Sequence, residues 1–226
     1  MRYTITGDNL QFVNIELGPG EEIKATPGNM KYMSGNMEME TKMEGGLLKG
    51  LKRSMIGASF FLVTFRPRGG TGVVGLGGNV PGKIIDLQVV PGKNWLLQKT
   101  SYIASQPGVD VDIAFQKKLG GAFYGGEGLI LQRVSGNGIV WASACGDFNV
   151  VDLRPGEQYK ISTGNIVGWE ESVTYDISSI GGFKNTLFGG EGVFVTTLTG
   201  PGKIIIQSMS LAELAASLIP YLPSGS

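Results

Sequence analysis

The chain has 226 residues, 19 Lys plus Arg against 19 Asp plus Glu, 42% apolar and 17% charged residues, and 37 glycines. That balance gives no whole-molecule field to attract a polyanion, and so apolar a chain is no disordered one. Zero histidine removes the commonest general base and any Ser-His-Asp or Cys-His arrangement, while a single cysteine, Cys145, excludes an intramolecular disulfide and fits a reducing cytoplasm.

From the amino terminus, Met1-Arg2-Tyr3-Thr4-Ile5 lacks a basic-then-apolar leader pattern. Val13 to Leu17 is an apolar strand ahead of a Pro19-Gly20 turn. Between Asn36 and Glu44 side chains alternate, with Met37, Met39, Thr41 and Met43 on a core face and Glu38, Glu40, Lys42 and Glu44 on a solvent face. This makes the methionines, with Met30 and Met33, core filler and not soft-metal ligands. Leu47 to Lys52 is at most one helical turn. Met55 to Phe65 is the longest nearly apolar run, well short of the ~20 residues that span a bilayer, so no transmembrane segment is expected. Phe60 to Phe65, Gly128 to Val134, Ile139 to Ala144, Val193 to Leu198 and Lys203 to Gln207 read as further strands between Gly- and Pro-rich turns.

Gly70-Thr71-Gly72-Val73-Val74-Gly75 spells a dinucleotide turn, but Gly77, Gly78 and Pro81 follow where such a turn would open a helix. Gly200-Pro201-Gly202-Lys203 likewise lacks the rest of a phosphate loop, and both read as plain turns. Asp110 and Asp112 share a solvated strand face. Cys145, between Ala144 and Gly146 beside an apolar strand, reads as a buried, inert thiol. Ser210 to Tyr221 is the one credible helix, with an N-cap serine and Glu213 completing a capping box. Its stripe of Leu211, Leu214, Ala215, Leu218 and Ile219 should lay an apolar face on something.

The chain repeats itself. Pro91, Gly92, Gly125, Gly126, Glu127, Gly128, Gly136 and Gly138 recur without a gap as Pro155, Gly156, Gly189, Gly190, Glu191, Gly192, Gly200 and Gly202. Pro19-Gly20-Glu21 marks a third, more diverged copy, in which Gly57-Ala58-Ser59-Phe60 answers Gly126-Glu127-Gly128-Leu129 after a short insertion near Gly45 to Gly50. Repeats over about 10–83, 84–148 and 149–209 make the expected architecture a single all-β domain over 1–226, closed by the helix and tail of 210–226.

Two groups of residues are candidates for function. Lys49, Lys52, Arg53, Arg66, Arg68 and Lys83 fall in a stretch without an acid between Glu44 and Asp86, interleaved with Phe60, Phe61 and Phe65. Cationic tracks with stacking aromatics suit single-stranded nucleic acid, and the same charges suit anionic lipid headgroups at a membrane surface, so Lys49, Lys52, Arg53, Arg66 and Arg68 form a candidate polyanion site. The blander reading is a solvated strand whose Phe residues face the core. The repeated Glu127 and Glu191 invite a catalytic reading, which would make this an enzyme using turn carboxylates. A carboxylate between glycines more simply accepts backbone N–H bonds and holds its turn. Ala58 replaces it in the first copy.

The tandem Pro-Gly units, the Gly-Gly-Glu-Gly pair, the closing strand Gly200 to Ser208 and the Leu-rich C-terminal helix resemble the uncharacterised bacterial and archaeal family related to the altered-inheritance-of-mitochondria proteins. The resemblance covers essentially the whole chain. It implies units with the fold of the tryptophan RNA-binding attenuator protein: three β-sandwich units in tandem, in a pseudo-threefold arrangement with a short C-terminal helix. It implies no catalytic residue, metal or cofactor. The expected function is a non-enzymatic binding or scaffold protein of the cytoplasm with a protein partner or self-association, nucleic acid or peripheral membrane contact through 49–83 being the alternative.

Overall fold

A computed structural model describes residues 1–40, 62–117, 129–180 and 193–222. After β1 (Arg2–Thr6), the first repeat runs β2 (Phe12–Leu17), β3 (Ile23–Ala25), β4 (Met30–Met33), β5 (Met37–Glu40), β6 (Val63–Pro67) and β7 (Gly72–Gly77). The second runs β8 (Ile84–Val89), β9 (Trp95–Gln98), β10 (Tyr102–Ser105), β11 (Val109–Lys117), β12 (Leu129–Gly136) and β13 (Gly138–Ser143). The third runs β14 (Phe148–Leu153), β15 (Gln158–Ser162), β16 (Ile166–Glu170), β17 (Thr174–Ile180), β18 (Val193–Thr199) and β19 (Gly202–Gln207), followed by α1 (Leu211–Leu218) and a 3-10 turn, Ile219–Tyr221. The protein is all-β with one short C-terminal helix. β8, β10, β12 and β13 each begin 64 residues before β14, β16, β18 and β19.

The Pro-Gly turns recur because Gly20, Gly92 and Gly156 each hold a positive φ, at 79°, 83° and 77°, which a Cβ would disfavour. The same bulge also recurs in β4, β10 and β16, between Met30 and Tyr32, Tyr102 and Ala104, and Ile166 and Gly168. In register, Tyr32, Ala104 and Gly168 are therefore equivalent, as are Met33, Ser105 and Trp169.

By contact the chain falls into two compact units. Unit 1 (Met1–Pro91, Thr100–Asp110, Ser135–Ser143) holds a four-stranded sheet, β1-β2-β7-β4, and a six-stranded sheet, β5-β6-β3-β10-β13-β8. Unit 2 (Gly92–Lys99, Val111–Val134, Ala144–Ser226) holds, save two residues at one end of β11 and of β12, the six-stranded sheet β11-β12-β9-β16-β19-β14 and the three-stranded sheet β15-β18-β17. Each six-stranded sheet is two three-stranded halves from successive repeats. The seams are antiparallel pairs: β3 with β10 (Ala25↔Ala104, Lys24↔Ser105) and β9 with β16 (Leu97↔Gly168, Leu96↔Trp169).

Burial alternates where sheets pack. In β2, Val13, Ile15 and Leu17 are fully buried while Phe12, Asn14 and Glu16 are not, and the inward set meets Val74 and Leu76 of β7, Ile23, Phe65 and Trp141. Unit 2 has its own core of Leu131, Ile166, Trp169, Leu198 and Ile204. Each such side chain contributes about 1.5–3 kcal/mol by leaving water. The methionine face departs from expectation: Met37 is buried, but Met39 and Met33 are exposed. Met39 sits on β5, an edge strand of its sheet, and Met33 on β4, another.

Candidate functional site

Of the basic segment, Arg66 lies on β6 and Arg68 just past its end, and β6 pairs with β5 so that Arg66 faces Glu38. Arg66 Nε donates to Glu38 Oε1 at 2.7 Å, Arg66 Nη2 donates to a Glu40 carboxylate oxygen, and Arg68 Nε donates to Glu38 Oε2 at 3.1 Å. The two guanidiniums hold the Glu38 carboxyl below the usual carboxylate range, and the carboxylates push Arg66 higher still. The strip is thus zwitterionic, with two acids brought across from β5. Lys49, Lys52 and Arg53 lie outside the described residues, so Arg66 and Arg68 are the two members of the candidate polyanion set that the structure places. Phe65, between their strands' charges, is fully buried, whereas Phe60 and Phe61 lie outside the described residues.

The turn carboxylates Glu127 and Glu191 lie outside the described residues as well. Asp110 and Asp112 are exposed on β11. Gly70 has φ of 65° and leads into β7, and Gly200-Pro201-Gly202 joins β18 to β19, so neither glycine motif opens a helix. Cys145 is buried, which pushes its thiol upward, with Glu213 adding to the shift. Among the described residues no group of three or more acidic, Cys or His side chains is placed to hold a metal.

A second charged cluster had no signal in the sequence. Arg133 on β12 reaches Glu171 with both Nε (2.6 Å) and Nη2 (3.0 Å), and Asn94 Nδ2 donates to the same carboxylate at 2.7 Å. Next to it Lys93 pairs with Glu170 at 2.9 Å, and the Lys203 backbone N–H donates to Glu170 Oε2. These residues come from four separate stretches of chain, with no common spacing to read. Arg133 forks onto one carboxylate and Arg66 bridges two, and in both clusters the arginine's charge is met by carboxylate.

Besides scattered single positions such as Leu10, Met39 and Tyr159, exposed apolar side chains gather in two places. Tyr32 and Met33 stand on β4, and Met209, Leu211, Leu218, Ile219, Tyr221 and Leu222 form the surface of the C-terminal segment. The helix is held by its own cap: Ser210 Oγ accepts from Glu213 N at 3.1 Å and Glu213 Oε2 accepts from Ser210 N at 2.6 Å. None of its side chains is buried. The expected amphipathic stripe is therefore present but mostly uncovered, with Leu214 half-buried and Leu211, Ala215, Leu218 and Ile219 exposed. No helix of the described residues is long and apolar enough to cross a membrane.

Comparison with known proteins follows this architecture end to end. The chain is 32% identical over 235 residues to an uncharacterized protein of Streptococcus pyogenes serotype M6, covering all of this chain and 93% of that one. It superposes with a TM-score of 0.79 on an X-ray crystal structure of a Streptococcus pyogenes protein from a structural genomics consortium, at 31% identity, covering 98% of this chain and 99% of that one. A family model described as mitochondrial biogenesis AIM24 matches residues 3–209, and the chain belongs to the AIM24 family.

Proposed function

We propose that the protein is a non-enzymatic binding or scaffold protein that works by contact with other proteins, in the cytoplasm. The observation that carries this reading is the apolar C-terminal segment, in which Leu218 at the end of α1 and Ile219 and Tyr221 in the 3-10 turn after it are 52%, 64% and 86% exposed, while the helix N-terminus is closed by a capping box. A helix ordered by its own capping box while its apolar face stays in water has the form of a helix that a partner's groove would cover. The charged clusters point the same way. Arg66, Arg68 and Arg133 are engaged by carboxylates, and an arginine held by a carboxylate must exchange that partner before it grips a phosphate.

A photo-crosslinking residue in place of Ile219, used in the cell of origin, tests the reading. The expected result is a discrete protein adduct at Ile219 that is absent when the residue replaces exposed Asp110. Adducts that are nucleic acid or lipid, or none at either position, would sink it. The polyanion alternative is read by the same cells with Lys49, Lys52 and Arg53 reversed in charge: an Ile219 adduct unchanged by that reversal supports the protein partner.

A further inference from the structure

Each repeat contributes two half-sheets, and a seam joins the second half of one repeat to the first half of the next. Two seams are made, β3 with β10 and β9 with β16. The first half of the first repeat, ending at β4, and the second half of the third, ending at β15, are left over. Among the described residues β4 is an edge of its sheet and so is β15. Of the other edge strands, β5, β11 and β17 are edges in every repeat, β8 and β14 answer β2, which β1 of the same chain covers, and β1 itself stands before the first repeat. Among the described residues β4 and β15 are the edges whose equivalents are paired with a strand of another repeat.

Burial marks the same two strands. All residues of β3, β9, β10 and β16 are buried. In β4 none is fully buried, with Tyr32 48% and Met33 37% exposed, and in β15 only Ile161 is. Met33 occupies the place of Trp169, which is 1% exposed on a strand that β9 pairs with. An edge of this kind presents a row of backbone donors and acceptors that templates another strand.

We propose that β15 of one molecule pairs antiparallel with β4 of a second copy of this chain, completing between molecules the seam made twice within each. The equivalences fix the register. Ala25, Leu97 and Ile161 each follow their turn glycine, Gly20, Gly92 and Gly156, by five residues. Ile161 therefore faces Tyr32, as Leu97 faces Gly168, and Lys160 faces Met33, as Lys24 faces Ser105. Lysine does not bar this place: Lys24 is 9% exposed inside a seam. Tyr32 clears the edge, since its ring leans inward over Gly75 and its hydroxyl donates to Asn14. The contact is head-to-tail, so one copy's β15 leaves its own β4 free for another. It uses neither α1 nor the charged clusters, so it stands or falls independently of the partner proposed above.

Cysteine pairing tests it. Facing residues of an antiparallel pair have Cα atoms ~4.5–5.5 Å apart, within disulfide reach. Met33→Cys and Lys160→Cys are made in separate preparations, each with Cys145→Ala, checked for unchanged circular dichroism, mixed and oxidised. The expected result is a mixed disulfide dimer, with loss of that dimer when Tyr159→Cys, one residue out of phase, replaces Lys160→Cys. The mass of the unsubstituted protein by light scattering should be a multiple of one chain. A single-chain mass, no preference for the mixed dimer, or a disulfide formed within one chain when both cysteines are on it would each overturn the proposal.

Discussion

Glu38 shows how strand pairing, and not sequence proximity, decides what a charge does. It lies 28 residues before Arg66 in a stretch whose acids and bases look segregated, yet the β5–β6 ladder sets them side by side. Alternation put Glu38 and Glu40 on one face of β5, but no local pattern says which strand will lie across from it, and on this edge strand Met39 is left more exposed than either acid. Because Arg66 and Arg68 favour the charged carboxylate in the folded chain, its folded pKa lies below its unfolded value. The stabilisation is complete above the unfolded value, about 4.3, and is lost as pH falls through the folded one. Carboxyl NMR titration should find Glu38 with a midpoint below that value, and Arg66→Gln should move it upward. A midpoint unchanged by the substitution would mean that the pair does not form in solution. Cys145 makes a complementary case. Its apolar neighbours in sequence already pointed to an inert thiol, and burial raises its pKa, so it is protonated and shielded at neutral pH. Ellman's reagent should react with it only as fast as the protein unfolds. Rapid native-state reaction would contradict the burial.

At the scale of elements, strand positions and Pro-Gly turns were readable because proline fixes φ and glycine takes the positive φ that other residues resist, and a copied unit carries its turns with it. The seams were not readable. They depend on residues of strands three to five residues long whose neighbours come from another repeat, and their packing differs from one seam to the next. Ala104 faces Ala25 in one, whereas Gly168 faces Leu97 in the other, small against large in place of two small residues. A Cβ on Gly168 would lie 2.5 Å from the Leu96 carbonyl oxygen and 2.5 Å from Leu97 Cδ2. Backbone and a buried side chain must then yield together. Gly168→Ala is expected to destabilise unit 2 by about 1–3 kcal/mol, the usual cost of overpacking, whereas Gly35→Ala, which meets nothing within 4 Å, should be near neutral. Equal chemical-denaturation midpoints for the two variants would show that the β9–β16 seam is slack.

For the whole molecule, the all-β class was legible from composition and turn spacing, but the division into two contact units was not, because each six-stranded sheet is shared by successive repeats and the sequence periods cut across it. The C-terminal helix was legible down to its cap, since Ser210 and Glu213 act within one turn. What covers its apolar stripe was not, because an amphipathic pattern states that a face can be buried and not what buries it. This separates ordering from stability. A helix held by local hydrogen bonds, with no buried side chain, contributes little to the core beside it, whereas Leu131 at 0% exposure contributes through packing. Leu218→Gln and Ile219→Gln are therefore expected to change the unfolding free energy by no more than about 0.5 kcal/mol, as exposed substitutions do. Leu131→Ala should cost about 2–5 kcal/mol through the cavity it leaves. Urea unfolding of purified variants reads both. A loss of 2 kcal/mol or more at Leu218 or Ile219, on the order of a core truncation, would mean that the stripe is already covered by the protein's own chain and would remove the surface on which the proposed partner depends.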